Sequence, residues 1–325
     1  MRSTIPEILL PEAGGPLPAS AQYAKAREGA LARSRPKRKW DLAPYLYVLP
    51  AMAVFAIFVL VPLGQGVWYS FTSWDGIGQA TWVGLSNYIS IWTDPVMREG
   101  LANTGVLVVF YAGVPIVVGL FTAAIIGRRG MRGMSFFRIV LFLPQVLSSV
   151  VVIVIWRLLL APAGPVNGAL GAIGFKFLEQ DWLGSFSITL DVLGLIGAWV
   201  AFGFCMVLFL AGIQAIPSEL YDAAKVDGAS PVRGFFAVTL PGLRGQLAVA
   251  MTLSVIAAFQ AFDIIWLVTQ GGPGTSSITP AINLYNDAFV SQDVGAAAAL
   301  GVVMLAASLV VTLIIVKLVE GRRNA

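Results

Sequence analysis

The chain has 325 residues, 58% of them hydrophobic and 12% charged, with a mean hydropathy of +0.82. Soluble domains carry about 25% charged residues, so this composition indicates an integral membrane protein. There is no histidine and one cysteine, which removes Ser-His-Asp and Cys-His catalysis, the commonest zinc ligand and any internal disulfide.

Residues 1–40 mix Pro, Gly, Ala and scattered charge without apolar periodicity, and are expected to form a flexible tail rather than a cleaved leader. The basic cluster Arg33, Arg35, Lys37, Arg38, Lys39 stands just before a long apolar run, which favours membrane orientation over nucleic-acid binding. Apolar runs over 44–69, 101–126, 136–160, 190–213, 246–268 and 295–319 are each long enough for a helical span. The predicted fold class is therefore all-α, a polytopic membrane domain over 41–320 with about six spans, followed by a short tail at 321–325. Pro50 and Pro62 are expected to kink the first span. Cys205 falls in the fourth apolar run and is expected to pack as a small hydrophobe.

An even number of spans puts both termini on one side. That side receives the tail cluster, Arg128, Arg129, Arg132, Arg138, Lys225, Arg233, Arg244, Lys317, Arg322 and Arg323. The opposite side receives Arg98, Arg157 and Lys176. The excess of Lys and Arg predicts that both termini and the segment 216–243 are cytoplasmic.

That segment, IPSELYDAAKVDGASPVRGFFAVTLPGL, is a polar island between two spans. Ser218 is expected to cap a short helix with Glu219 in its first turn and Leu220, Ala223 and Ala224 as its apolar set. Gly228 ends it, Ser230-Pro231 starts a second short helix, and Pro241-Gly242 stops that one. Neither helix is long enough to be stable alone, so the element needs a surface to dock on.

Its residue types and offsets also resemble a known loop. Asp222-Ala223-Ala224, Asp227-Gly228-Ala229, Phe235 and Leu240-Pro241 are similar to the EAA loop of permease subunits of binding-protein-dependent ABC importers. The first acidic residue there is usually Glu, and Asp222 is shorter by one methylene. The resemblance implies a cytoplasmic coupling helix seated in a groove of the ATPase subunit, with Asp222 and Asp227 as polar anchors. Ala223, Ala224, Gly228 and Ala229 allow close approach, and Phe235 and Pro241 belong to the second helix. Asp227 is also expected to cap the Gly228 turn. Two further strings, WVGLSNY at 82–88 and Thr269-Gln270-Gly271-Gly272-Pro273, resemble the carbohydrate-type members of that family. In them Gly271, Gly272 and Pro273 form an outer loop close to a docked solute-binding protein.

The sequence holds no G-x-x-x-x-G-K-[ST] and no catalytic carboxylate pair, so the chain is not expected to be an enzyme. The expectation is a permease in a bacterial or archaeal cytoplasmic membrane, moving a sugar or sugar derivative with energy from a separate ATPase. It carries no cofactor of its own, ATP being bound by the partner. The resemblance further implies a second, homologous permease, two copies of an ATP-binding subunit and an extracytoplasmic solute-binding protein. Polar and aromatic residues inside spans are costly unless used, so Gln260, Asp263 and Trp266, at helical spacing in the fifth span, are candidates for the solute path. Gln145, Ser148 and Ser149 in the third span and Trp199 in the fourth are secondary candidates. The alternative is an ion-coupled secondary transporter, which should show internal repeats and several ionisable groups within spans.

Overall fold

The computed structural model describes residues 43–127 and 134–321. The N-terminal tail with its basic cluster, Arg128, Arg129, Arg132, Arg322 and Arg323 lie outside the described residues. The first span, α1, is Leu46–Tyr69. By backbone contacts the chain parts inside it, after Val61, and the elements from Pro62 onward form the second unit, Pro62–Ala325.

After α1 a two-residue antiparallel ribbon, β1 (Thr72–Ser73) and β2 (Thr81–Trp82), pairs Thr72 with Trp82 and Ser73 with Thr81. The helices then come in order: α2 (Ser86–Thr93), α3 (Pro95–Ile126), α4 (Met134–Val146), α5 (Ser149–Leu159), α6 (Pro165–Ala172) and α7 (Thr189–Ala215). Next are α8 (Ser218–Val226), α9 (Pro231–Gly234), α10 (Arg244–Phe259), α11 (Asp263–Val268), α12 (Pro280–Tyr285) and α13 (Val294–Gly321). Among the described residues five candidate spans are continuous or nearly so, and α4 with α5 supplies a sixth as a bent pair.

Two of the predicted spans are broken. The third is not one helix: α4 and α5 meet at 97° across Leu147-Ser148. Pro144 is inside α4, and Ser148 turns outward (ψ 147°) to accept the Val151 N–H at 3.4 Å, so α5 starts afresh with its own cap. The fifth span stops at Phe259 and restarts at Asp263. Such breaks are tolerated at membrane depth where the freed backbone groups find protein partners.

Three prolines share a signature. Pro62, Pro115 and Pro241 each stand just after a π-turn, at Ala56–Leu60, Val109–Gly113 and Phe235–Thr239. In each case the residue before the proline (Val61, Val114, Leu240) donates its N–H five residues back. A proline ring clashes with the carbonyl four residues earlier, and the wider turn relieves the clash. Pro50, expected to kink α1, lies inside the regular helix Ala43–Phe55.

α7 is the centre of the second unit. Its buried residues Cys205, Met206, Phe209 and Leu210 pack with Ala123 and Ile126 of α3 and with Leu243 and Ala250. Cys205 is fully buried, as expected for a thiol used as a small hydrophobe. Lipid is as apolar as these side chains, so the gain comes from close packing and not from escaping water. Gly119 makes that packing possible: a Cβ there would stand 2.8 Å from both the Cys205 Cβ and the Met206 backbone N.

Candidate functional site

At one end of the bundle the 216–243 segment forms the predicted helical hairpin. Its first cap differs from expectation: Pro217 holds the cap position without a side-chain bond, and Ser218 is already helical. The turn between the helices is a Schellman motif. Gly228 has φ +76°, its N–H donates to the Lys225 carbonyl at 3.0 Å, and the Ala229 N–H donates to the Ala224 carbonyl at 2.9 Å. Asp227 closes α8 through its own backbone N–H, which donates to the Ala223 carbonyl at 3.0 Å. Ser230 caps α9 as predicted, accepting the Arg233 N–H at 3.3 Å with Pro231 behind it. The second helix runs on through the π-turn Phe235–Thr239 to Gly242.

The Tyr221 hydroxyl meets the Thr239 hydroxyl at 3.0 Å and ties α8 to that π-turn. Asp222 pairs with Lys225 at 2.8 Å, both ends being mostly exposed, so the pair adds little stability. Asp222, Ala223, Asp227 and Gly228 are exposed, while Ala224, Ala229, Phe235 and Pro241 are half-buried. Leu220, one of the expected apolar set, is exposed, as are Val226, Val232 and Phe236. Sequence reasoning did not pick out Val226, Val232 and Phe236 as part of this apolar rim. A cleft of about 1230 Å³ separates one flank of the hairpin from the bundle, with Tyr221, Asp222 and Lys225 facing Gln214 and Arg138. A smaller cleft of about 420 Å³ opens on the other flank beside Leu220 and Pro241. The hairpin is thus held along a strip and free along both edges.

The two helix breaks meet through α5 and α11. α5 packs on α11, and the Ser149 hydroxyl donates to Asp263 Oδ2 at 3.4 Å. Gln260, Asp263 and Trp266 do not share one helical face, since Gln260 stands at the C-cap of α10 and Asp263 begins α11. Gln260 and Asp263 are exposed and Trp266 is half-buried. Trp266 belongs to a ladder of rings: it stacks on Phe262 at 5.5 Å and tilts against Tyr285 at 4.4 Å, and Tyr285 meets Phe289 at 5.1 Å. Phe262, four residues before Trp266, faces it across one helical turn, whose first bond is the Trp266 N–H to the Phe262 carbonyl at 2.7 Å. Gln145 is exposed in the last turn of α4, just before the first break. Trp199 sits edge-on to Trp156 at 5.5 Å in a cluster with Val152 and Val192.

At the end away from the hairpin, the loop 269–279 is bolted to α3. The Thr275 hydroxyl donates to Glu99 Oε2 at 2.6 Å, and the Asn103 amide donates to the Ser276 and Ile278 carbonyls at 3.3 and 2.9 Å. Gly271 and Gly274 have positive φ and Gly272-Pro273 is cis, with the Ser277 hydroxyl donating to the Gly272 carbonyl at 2.6 Å. A charge-assisted bond contributes about 1.5–3 kcal/mol, so Glu99→Ala should lower thermal stability by roughly that amount and free the loop. Hydrogen exchange at 269–279 checks it, and unchanged protection there would show that Glu99 does not hold the loop. The WVGLSNY string is a clasp at the same end. Asn87 donates to the Ser70 and Thr72 carbonyls, Tyr88 bonds the Ser70 hydroxyl at 2.7 Å, and Trp82 stacks on Phe71.

Asp287, in the turn before α13, has its carboxyl pushed up to about 6, first by burial and then by Asp293 and Asp94. The fold therefore disfavours the ionised form. Stability from this group is gained as pH falls through about 6 and lost as pH rises above it. Asp287→Asn should flatten the rise in melting temperature between pH 7 and pH 5; an undiminished rise would assign it to other groups.

A bundle of apolar spans, two of them broken, with an exposed helical hairpin at one end is the architecture of a polytopic membrane protein. Residues 115–324 match the family described as binding-protein-dependent transport system inner membrane component, and the chain belongs to that family. It is the permease subunit of an ABC importer. It is 34% identical to the diacetylchitobiose uptake system permease protein NgcF of Streptomyces coelicolor, covering 90% of this chain and 88% of that one. It is 31% identical to the sn-glycerol-3-phosphate transport system permease protein UgpA of Yersinia pestis, covering 89% and 98%. The fold matches a chain in the crystal structure of a bacterial ABC transporter that imports the acidic polysaccharide alginate. The TM-score there is 0.74 at 22% identity, over 86% of this chain and 96% of that one.

Proposed function

We propose that this permease carries a sugar or sugar derivative into the cytoplasm, with the 216–243 hairpin as its joint to the ATPase. The observation that carries this reading is the hairpin itself. A rigid Schellman turn presents Leu220, Val226 and Val232 outward between two clefts. Apolar side chains around a polar tip are what a groove on a partner would bury. The lysine and arginine distribution supports a cytoplasmic hairpin and cytoplasmic termini, and hence a loop 269–279 outside, facing a solute-binding protein. A second, similar permease beside this one and two ATP-binding subunits beneath complete the assembly.

The chain needs no cofactor for its part. Closure of the ATPase pair moves the hairpin as a rigid body. Packed helices respond by rocking, which alternates access to a site between the two permeases. The relatives named for diacetylchitobiose and glycerol-3-phosphate support a carbohydrate-like solute. So does the ring ladder beside Asp263, since aromatic faces suit the C–H faces of a pyranose. Proteoliposomes holding the complete importer should accumulate a labelled sugar only with ATP on the hairpin side and receptor on the other. Accumulation driven by a proton gradient with ATP absent would overturn the reading in favour of an ion-coupled carrier.

A further inference from the structure

A carboxylate stands at the meeting of the two helix breaks. Asp263 stands where the breaks of the third and fifth spans meet, and it is exposed. The contact it makes there is a long one, 3.4 Å from the Ser149 hydroxyl. The ion pair Lys225–Asp222 is at the hairpin and does not involve Asp263. Neither α11 nor the first turn of α5 contains Lys or Arg. Phe262 precedes it and Trp266 follows one turn on, and these rings, with Tyr285 packed against them, bring apolar faces and no positive charge. An ionisable group placed in a span is costly to keep, which marks it as used.

We propose that Asp263 filters solutes by charge: the path admits neutral or amine-bearing sugars and excludes those that carry a carboxylate or a phosphate. This rests on the importer reading and names the substrate class of that same path. The physics is Coulombic. A carboxylate beside a passing anion in a site of intermediate dielectric raises its energy enough for a discrimination of about tenfold or more. A solute offering an ammonium or hydroxyl donor gains a bond to Asp263 instead. The rings accept either kind of sugar through its C–H faces, so the sign of the solute is decided at Asp263.

The test reads the field directly and needs no knowledge of the solute. In the complete importer with Cys205→Ser, a cysteine is placed by Gln260→Cys, at the neighbouring break. Its reaction rates with a cationic and an anionic methanethiosulfonate of similar size are compared. The expected ratio favours the cation, falls about tenfold in Asp263→Asn, and is kept in Asp263→Glu, which retains the charge. A ratio unchanged by Asp263→Asn overturns the proposal. So does a cysteine at 260 that neither reagent reaches, because the path then does not pass there. A second arm supplies cellobiose and its uronic acid, which differ by one carboxylate, to the wild-type importer with ATP. ATP-driven accumulation of the uronate, with Asp263 intact, also overturns it. Failure of ATP to drive any uptake while the thiol ratio behaves as expected would count against the importer reading and leave the charged path standing.

Discussion

Gly228→Val should uncouple transport from ATP hydrolysis while leaving the protein in the membrane. Gly228 has φ +76° and makes the turn between α8 and α9. An L-residue in that region costs about 1–2 kcal/mol, and a β-branched one more. Nothing lies within 4 Å of a Cβ built there, so the cost is backbone conformation and not collision. The chain would escape by leaving the left-handed region, which breaks the Gly228–Lys225 and Ala229–Ala224 hydrogen bonds and frays the last turn of α8. Asp222, Ala223 and Val226 would then lose their fixed relation to the second helix. Uptake should fall at least tenfold and copurification of the ATP-binding subunit should drop. Gly228→Asn should keep most of both, because Asn tolerates that conformation. Full uptake by the valine variant would show that the hairpin geometry is not what the ATPase reads.

Gly119→Leu should cost the fold itself. The α3–α7 contact is close enough that even a Cβ at 119 meets the Met206 backbone N at 2.8 Å. Backbone cannot step aside as a flexible side chain can, so the helices must separate. That separation loosens Ala123, Cys205, Met206 and Phe209 together. Overpacking commonly costs about 1–3 kcal/mol, and a leucine against backbone belongs at the upper end or beyond. The yield of monodisperse protein after detergent extraction should collapse. The control is Gly105→Leu on the same helix, where nothing lies within 4 Å. Equal yields from the two variants would contradict this packing.

The hairpin was largely legible in the sequence because its signals are local. Gly228, Ser230-Pro231 and Pro241-Gly242 act within one turn of themselves, and each does what its side chain dictates. Ser218 failed as a cap because Pro217 already held the extended conformation that a cap needs (ψ 135°). Periodicity found the stripe with Leu220 but does not say which side the bundle is on.

The helix breaks were not legible, and the reason is the medium. Hydropathy is continuous across Leu147-Ser148 and across Gln260–Phe262, and a window that measures only apolarity passes over both. Hints were present in Pro144 with Ser148 after it, and in Gln260, but each is also compatible with an unbroken span. The candidate residues Gln260, Asp263 and Trp266 were found by their polarity and size. What could not be found was their arrangement, since the expected helical face disappears at the break. The π-turn before Pro62, Pro115 and Pro241 shows the same limit: proline announces a disturbance but not its form.

A photo-crosslinking amino acid at position 226 probes the hairpin's role as the joint to the ATPase. Val226 is 88% exposed at the rim of the hairpin, so replacement should not disturb the fold. In membranes containing the complete importer, illumination should join this chain to the ATP-binding subunit. The yield should change between the ATP-bound and nucleotide-free states. A crosslink to lipid alone, in an importer that still transports with ATP, would contradict the hairpin as the link between hydrolysis and movement.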